Sequence, residues 1–154
     1  MNHQHTWILV ADAGNARILQ YEGPFKPLTQ VDGALFAHKH EMNHEFVSSD
    51  RGRTAGRFAG SKHAFEWPTD PHQYEKKIFA KELTRFLGAH EQDFQRLILV
   101  APPEMMGNIH HETKANHILT KKIYAKETKN LTRVPLHRMA QHLKGVLNFQ
   151  LKAA

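Results

Sequence analysis

Arg96-Leu97-Ile98-Leu99-Val100-Ala101-Pro102-Pro103 is the segment that decides the fold. Four consecutive large apolar residues, bounded on one side by Arg96 and on the other by two prolines, read as a strand covered on both faces. Such strands belong to sheets sandwiched between helices. Pro102-Pro103 ends the strand and opens a helix, because proline fixes the backbone angle that a first helical turn needs.

Working backwards, the spacing predicts a helix from Asp70-Pro71, with Asp70 as the cap, Pro71 at the first position and Gln73 completing the capping pair. Tyr74, Ile78, Phe79, Leu83, Phe86 and Leu87 recur at three- and four-residue steps as its apolar face, and Gly88 is expected to stop it. Nearer the N-terminus, Trp7-Ile8-Leu9-Val10-Ala11 is a second continuous apolar run, ended by the turn Asp12-Ala13-Gly14-Asn15. Ala16 to Tyr21 follows so closely that the two strands must be antiparallel. Leu28 to Phe36 reads as a third strand interrupted by Asp32-Gly33.

Working forwards, Thr113 is expected to cap a further helical piece to about Lys121, and Ile123 to Thr128 to form a fifth strand. Pro135 should start a last helix that turns Leu136, Met139, Ala140, Leu143, Val146 and Leu147 inward. The expected class is α/β, three-layered, with a mixed five-stranded sheet in the order β-β-β-α-β-α-β-α. Strands separated by helices should be parallel with right-handed crossovers. A single domain over residues 1–154 is expected, with a long loop at about 37–69 that has no apolar period.

Composition narrows the chemistry. The 154 residues contain no cysteine, which excludes disulfides, thiol catalysis and cysteine-bound zinc. No apolar run reaches membrane-spanning length, and Met1-Asn2-His3-Gln4-His5 lacks the order of a signal peptide, so a cytoplasmic protein without a membrane partner is expected. The net charge of +6 is unevenly placed. Between His110 and Lys144, Lys114, Lys121, Lys122, Lys126, Lys129, Arg133, Arg138 and Lys144 face only Glu112 and Glu127. Between Ser48 and Ala64, Arg51, Arg53, Arg57 and Lys62 face only Asp50. This distribution suits a polyanionic partner. Gly52, Gly56 and Gly60 would let the backbone approach a ligand, the arginines offer planar donors for phosphate, and Phe58 could stack on a base.

Other motifs carry less. His38, His40 and His44 cluster, as do His3 and His5, but no second group has metal-site spacing. Asp12 ends a strand where metal-dependent nucleases keep a carboxylate, and Glu66, Asp70 and Glu104 are further acids, yet each fits a turn, a cap, a helix start or a loop. There is no nucleophile elbow, phosphate loop or dinucleotide fingerprint. The residues name no catalytic centre, cofactor or metal, so a binding role is expected over an enzymatic one.

Several segments in order resemble one bacterial family, the host-attachment proteins. They are Trp7 to Asp12 with Ala16-Arg17-Ile18; Ser49-Asp50-Arg51-Gly52-Arg53 with Gly60-Ser61-Lys62-His63-Ala64; and Thr69-Asp70-Pro71 with Glu75 and Phe79 to Leu83. Leu97 to Pro103 with Met106-Gly107, and Lys129-Asn130-Leu131-Thr132 with Pro135 and His142-Leu143, complete the match. The family in turn resembles the middle domain of archaeal and eukaryotic class-1 peptide release factors. That resemblance implies a ribonuclease-H-like fold and a loop that enters the ribosome with a Gly-Gly-Gln motif. Here the loop, Arg51 to Ser61, is basic and glycine-rich but has no Gly-Gly-Gln, and the family's usual Lys-Asp-Leu-Thr appears with Asn130 in place of the carboxylate. Together with the placement of basic residues, this leads to the expectation of an RNA- or ribosome-associated binding module, with Arg51, Arg53, Arg57, Lys62 and Lys129 as phosphate contacts. The alternatives are a protein-interaction or attachment factor, and a metal-dependent nuclease or peptidyl-tRNA hydrolase.

Overall fold

The computed structural model describes residues 5–37 and 71–147. The strands are β1 (Thr6–Ala11), β2 (Asn15–Tyr21), β3 (Thr29–Ala37), β4 (Arg96–Val100) and β5 (Ile123–Glu127). The helices are α1 (Pro71–Ala89), α2 (Pro103–Thr113), α3 (His117–Lys122) and α4 (Leu136–His142). The five strands form one sheet in the order β3-β2-β1-β4-β5. β1, β2 and β3 pair antiparallel, whereas β1 pairs with β4, and β4 with β5, in parallel.

Both apolar runs lie inside the sheet, as their composition demands. Alternation along β1 divides the core in two. Trp7, Leu9 and Ala11 pack with Leu97 and Leu99 against Phe79, Leu83 and Leu87 of α1, Met105 and Ile109 of α2, and Leu119 of α3. Ile8 and Val10 point to the other face, with Ile98 and Val100, and meet Met139 of α4 with Leu131, Leu143 and Leu147. The domain therefore has three layers. Leu9 and Ile98 are both fully buried, and each such side chain contributes about 1.5–3 kcal/mol through removal from water.

The interruption expected at Asp32-Gly33 is a bulge within β3. The register shifts between Arg17 and Leu19 of the facing strand, and Gly33 takes φ +74°, a conformation that strains a residue with a Cβ.

Four expectations are corrected. Asn116, not Thr113, caps the helical piece before β5: its Oδ1 accepts from the N–H groups of Ile118 and Leu119, while the Thr113 hydroxyl donates to the His110 carbonyl at the end of α2. Two helices thus separate β4 from β5. Gly88 lies within α1 and not beyond its end, and it has no positive φ. A Cβ there would sit 3.2 Å from the Asn116 amide nitrogen, so the glycine serves a close approach between the two elements. Tyr74 is 57% exposed, because the first turns of α1 overhang the core. Ala140 is exposed on α4, where Met139 and Leu143 take the inward positions.

Pro71 opens α1 as expected, while Asp70 and nearly all of the long loop lie outside the described residues. Among the described residues, no helix is long and apolar enough to cross a membrane.

Candidate functional site

The parallel strands β1, β4 and β5 end on one edge of the sheet. In open α/β sheets, ligands bind in the crevice outside the carboxyl ends of such strands. The antiparallel meander brings β3 to the same edge, since Ala37 at its end pairs with Asn15 at the start of β2. α1 starts there too, because it must run back across the sheet to deliver β4 at the opposite edge. The Nζ of Lys76 in the second turn of α1 lies 2.9 Å from Oε2 of Glu104 in the first turn of α2, which fixes both helix starts on that side.

At this edge two distant segments clasp each other. Asp12 follows β1 and holds the turn by accepting at Oδ1 from the N–H groups of Gly14, at 2.8 Å, and Asn15, at 2.7 Å. Its other oxygen, Oδ2, accepts from the hydroxyl of Thr132 at 2.6 Å. The Thr132 hydroxyl also lies 3.0 Å from Oδ1 of Asn130. From β2, the Arg17 guanidinium donates to the carbonyls of Leu131 and Val134. Burial lowers the Arg17 pKa, and its Nε, out of contact with water, has no hydrogen-bond partner among the described residues. The guanidinium stays charged and works as a brace for the loop after β5.

Beside this clasp is a cavity of about 350 Å³. Asn15, Arg17, Thr132 and Arg133 give it a polar, basic lining, and Leu35 and Phe36 at the end of β3 form an apolar wall. An anion with a flat apolar portion suits that combination.

Of the phosphate contacts expected from sequence, Arg51, Arg53, Arg57 and Lys62 lie outside the described residues, as do His3, His38, His40, His44, Phe58, Glu66 and Asp70. Lys129 follows β5 on the same edge as the clasp. Its Nζ lies 3.1 Å from Oε1 of Glu127 and 3.3 Å from the His142 carbonyl. It is nearly half exposed, and a pair of this kind contributes little to stability, so its ammonium can exchange a carboxylate for a phosphate at small cost. Glu104 is committed to Lys76 and Asp12 to the turn and Thr132. Among the described residues, no three His, Asp or Glu side chains group as metal ligands would.

Sequence reasoning missed the pairing of Asp12 with Thr132 and the brace from Arg17. The one local signal for the latter was a charged residue between the apolar Ala16 and Ile18 of β2.

The class defined by this geometry is a three-layer α/β domain with a mixed sheet and a basic crevice at the carboxyl edge of its parallel strands. The family described as "protein required for attachment to host cells" matches residues 7–143, and the chain belongs to it. No curated protein matches the chain. Asp12, Arg17 and Thr132, which carry the resemblance at its two ends, are the residues that meet in the clasp.

Proposed function

We propose that this host-attachment family protein is a non-catalytic RNA- or ribosome-associated binding module, with Arg51, Arg53, Arg57, Lys62 and Lys129 as its phosphate contacts. The observation that carries this reading is topological. The strand before the basic glycine-rich segment and the helix after it both meet the sheet edge that holds Lys129, Arg17 and Arg133. The described ends of the chain on either side of that segment thus lie at the edge that carries Lys129 and Arg133, and a polyanion held there would gain from adding the segment's charges to theirs. The meander followed by parallel crossovers supports a ribonuclease-H-like classification and the resemblance to the release-factor middle domain. The absence of Gly-Gly-Gln from Arg51 to Ser61, and the commitment of Asp12 to its turn, favour binding over hydrolysis.

RNA binding measured against salt tests this reading. Phosphate contacts release counterions, so affinity should fall steeply as salt rises. Changing Arg51, Arg53 and Arg57 together to Ala should weaken binding, flatten the salt slope and leave thermal stability almost unchanged. Unchanged binding with a large loss of stability would make the segment a structural clamp and sink the assignment.

The family description favours a second reading, in which the same surface engages a protein during attachment. A lysate pull-down with and without ribonuclease separates the two, since a direct protein partner survives the nuclease. A metal-dependent cleavage assay on RNA and peptidyl-tRNA addresses the hydrolase alternative.

A further inference from the structure

On the face of the sheet that carries α1 and α2, the first half of α1 and the second half of α2 enclose a groove of about 500 Å³. α1 lines it with Tyr74, Lys77, Ile78 and Lys81, and α2 with Asn108 and Glu112. The α1 residues fall at helical steps of three and four, so they form one ridge facing the groove. Tyr74 presents its ring to solvent, Lys77 and Lys81 are exposed, and half-buried Ile78 supplies an apolar floor between them. Neither lysine forms an ion pair among the described residues, although Lys76, their neighbour on the helix, is paired with Glu104.

We infer that this groove binds single-stranded RNA, seating an unpaired base against Tyr74 and Ile78 and placing the flanking phosphates on Lys77 and Lys81. The inference rests on the RNA-binding reading above and assigns it a second contact surface. Each part of the ligand meets the chemistry it needs. A base has an apolar face for stacking on an aromatic ring, and base–aromatic stacking is a principal contribution to single-strand binding. Two lysines one helical turn apart offer point charges for the backbone. Asn108 and Glu112 stand opposite as edge readers. The Glu112 carboxylate is acceptor-only, so it suits a base edge with adjacent donors, as the N1–H and N2–H2 of guanine are, and disfavours a phosphate at that end. Duplex RNA buries its base faces and cannot use the ring.

The test uses the full chain and fluorescently labelled oligonucleotides of about ten nucleotides, single-stranded or duplex, with affinity read by anisotropy at several salt concentrations. Tyr74→Ala should weaken single-strand binding roughly tenfold, and Tyr74→Phe should retain it. Lys77→Ala with Lys81→Ala should lower the salt slope by about 1.4, from two contacts at about 0.7 each. All three positions are exposed, so melting temperature should hold and each loss reads on binding. The Arg51/Arg53/Arg57→Ala protein is measured in parallel. Loss of binding in that protein, with none in the groove variants, overturns the groove and leaves the loop reading standing. Equal loss of single-strand and duplex binding on Tyr74→Ala overturns the stacking role. A wild-type chain that binds neither RNA, or a partner capture that Tyr74→Ala abolishes and ribonuclease does not, overturns RNA as the occupant.

Discussion

The hydroxyl of Thr132 donates a 2.6 Å hydrogen bond to Oδ2 of Asp12, joining positions 120 residues apart. A neutral donor on a carboxylate is among the stronger protein hydrogen bonds. Thr132→Val keeps the shape and removes the donor, and it should cost about 1–2 kcal/mol in urea denaturation. A double-mutant cycle with Asp12→Ala should show coupling of the same order, because the two residues meet directly. Additive costs would show that the bond contributes nothing net.

Arg17 should matter for the same loop by another route. Arg17→Met retains the apolar stem but leaves the Leu131 and Val134 carbonyls without the guanidinium. A loss of about 1.5–3 kcal/mol is expected, the range for hydrogen bonds to charged groups. Native-state hydrogen exchange should quicken at the Val134 amide, which donates to Leu131 at 3.1 Å, before it quickens in β1.

Gly88 and Asn116 make a prediction whose sign depends on context. In an ordinary helix Gly→Ala gains about 1 kcal/mol. Here the new methyl meets the Asn116 amide at 3.2 Å, and that amide is fixed by its cap bonds to Ile118 and Leu119. Gly88→Ala should therefore gain little or lose stability in the native chain. Asn116→Ala alone should cost about 1 kcal/mol as a lost cap. In the Asn116→Ala background, Gly88→Ala should stabilise. Thermal melts of the four proteins check the pattern.

His110 lends the domain a pH dependence. Its Nδ1 lies 2.6 Å from the Lys126 ammonium, and burial, then Lys126 and Lys114, hold its pKa below the usual imidazole value. The unfolded chain therefore takes up the proton first. Stability tied to this residue is present above about pH 6.5 and declines as pH falls through the depressed folded value. His110→Gln should remove that component from the stability–pH curve, and Lys126→Ala should raise the His110 pKa in an NMR titration. An unmoved pKa in Lys126→Ala would rule out the lysine as a cause.

Much of the architecture was legible because it is written in local pattern. Continuous apolarity marked Trp7–Ala11 and Arg96–Val100 as the inner strands, and Pro71 and Pro103 marked two helix starts. Local pattern failed where a decision depended on neighbours. Tyr74 fits the apolar period of α1, yet no period says where the core ends beneath a helix. Gly88 looks like a stop signal, and only the packed position of Asn116 explains it. Thr113 and Asn116 are both good capping residues, three positions apart, and the sequence offers no way to choose. The candidate site was half legible. Its basic residues could be counted, but the bond from Thr132 to Asp12 and the brace from Arg17 link parts of the chain that share no local signal.

The pairing of β1 bears on how the chain is made. One side of this strand is satisfied at once by β2, through a turn of a few residues. The other side waits for β4, whose Arg96 pairs with Thr6 about ninety residues later. Closing so long a loop is slow, and parallel pairing across it contributes to folding only late. During synthesis on the ribosome, the most apolar strand of the first half has an open edge until residue 100 emerges. An unpaired strand edge invites intermolecular pairing. The nascent first half is thus a stage exposed to aggregation; Leu97 to Val100 close the edge of β1 when they arrive, and the open edge passes to β4 until Ile123 to Glu127 follow.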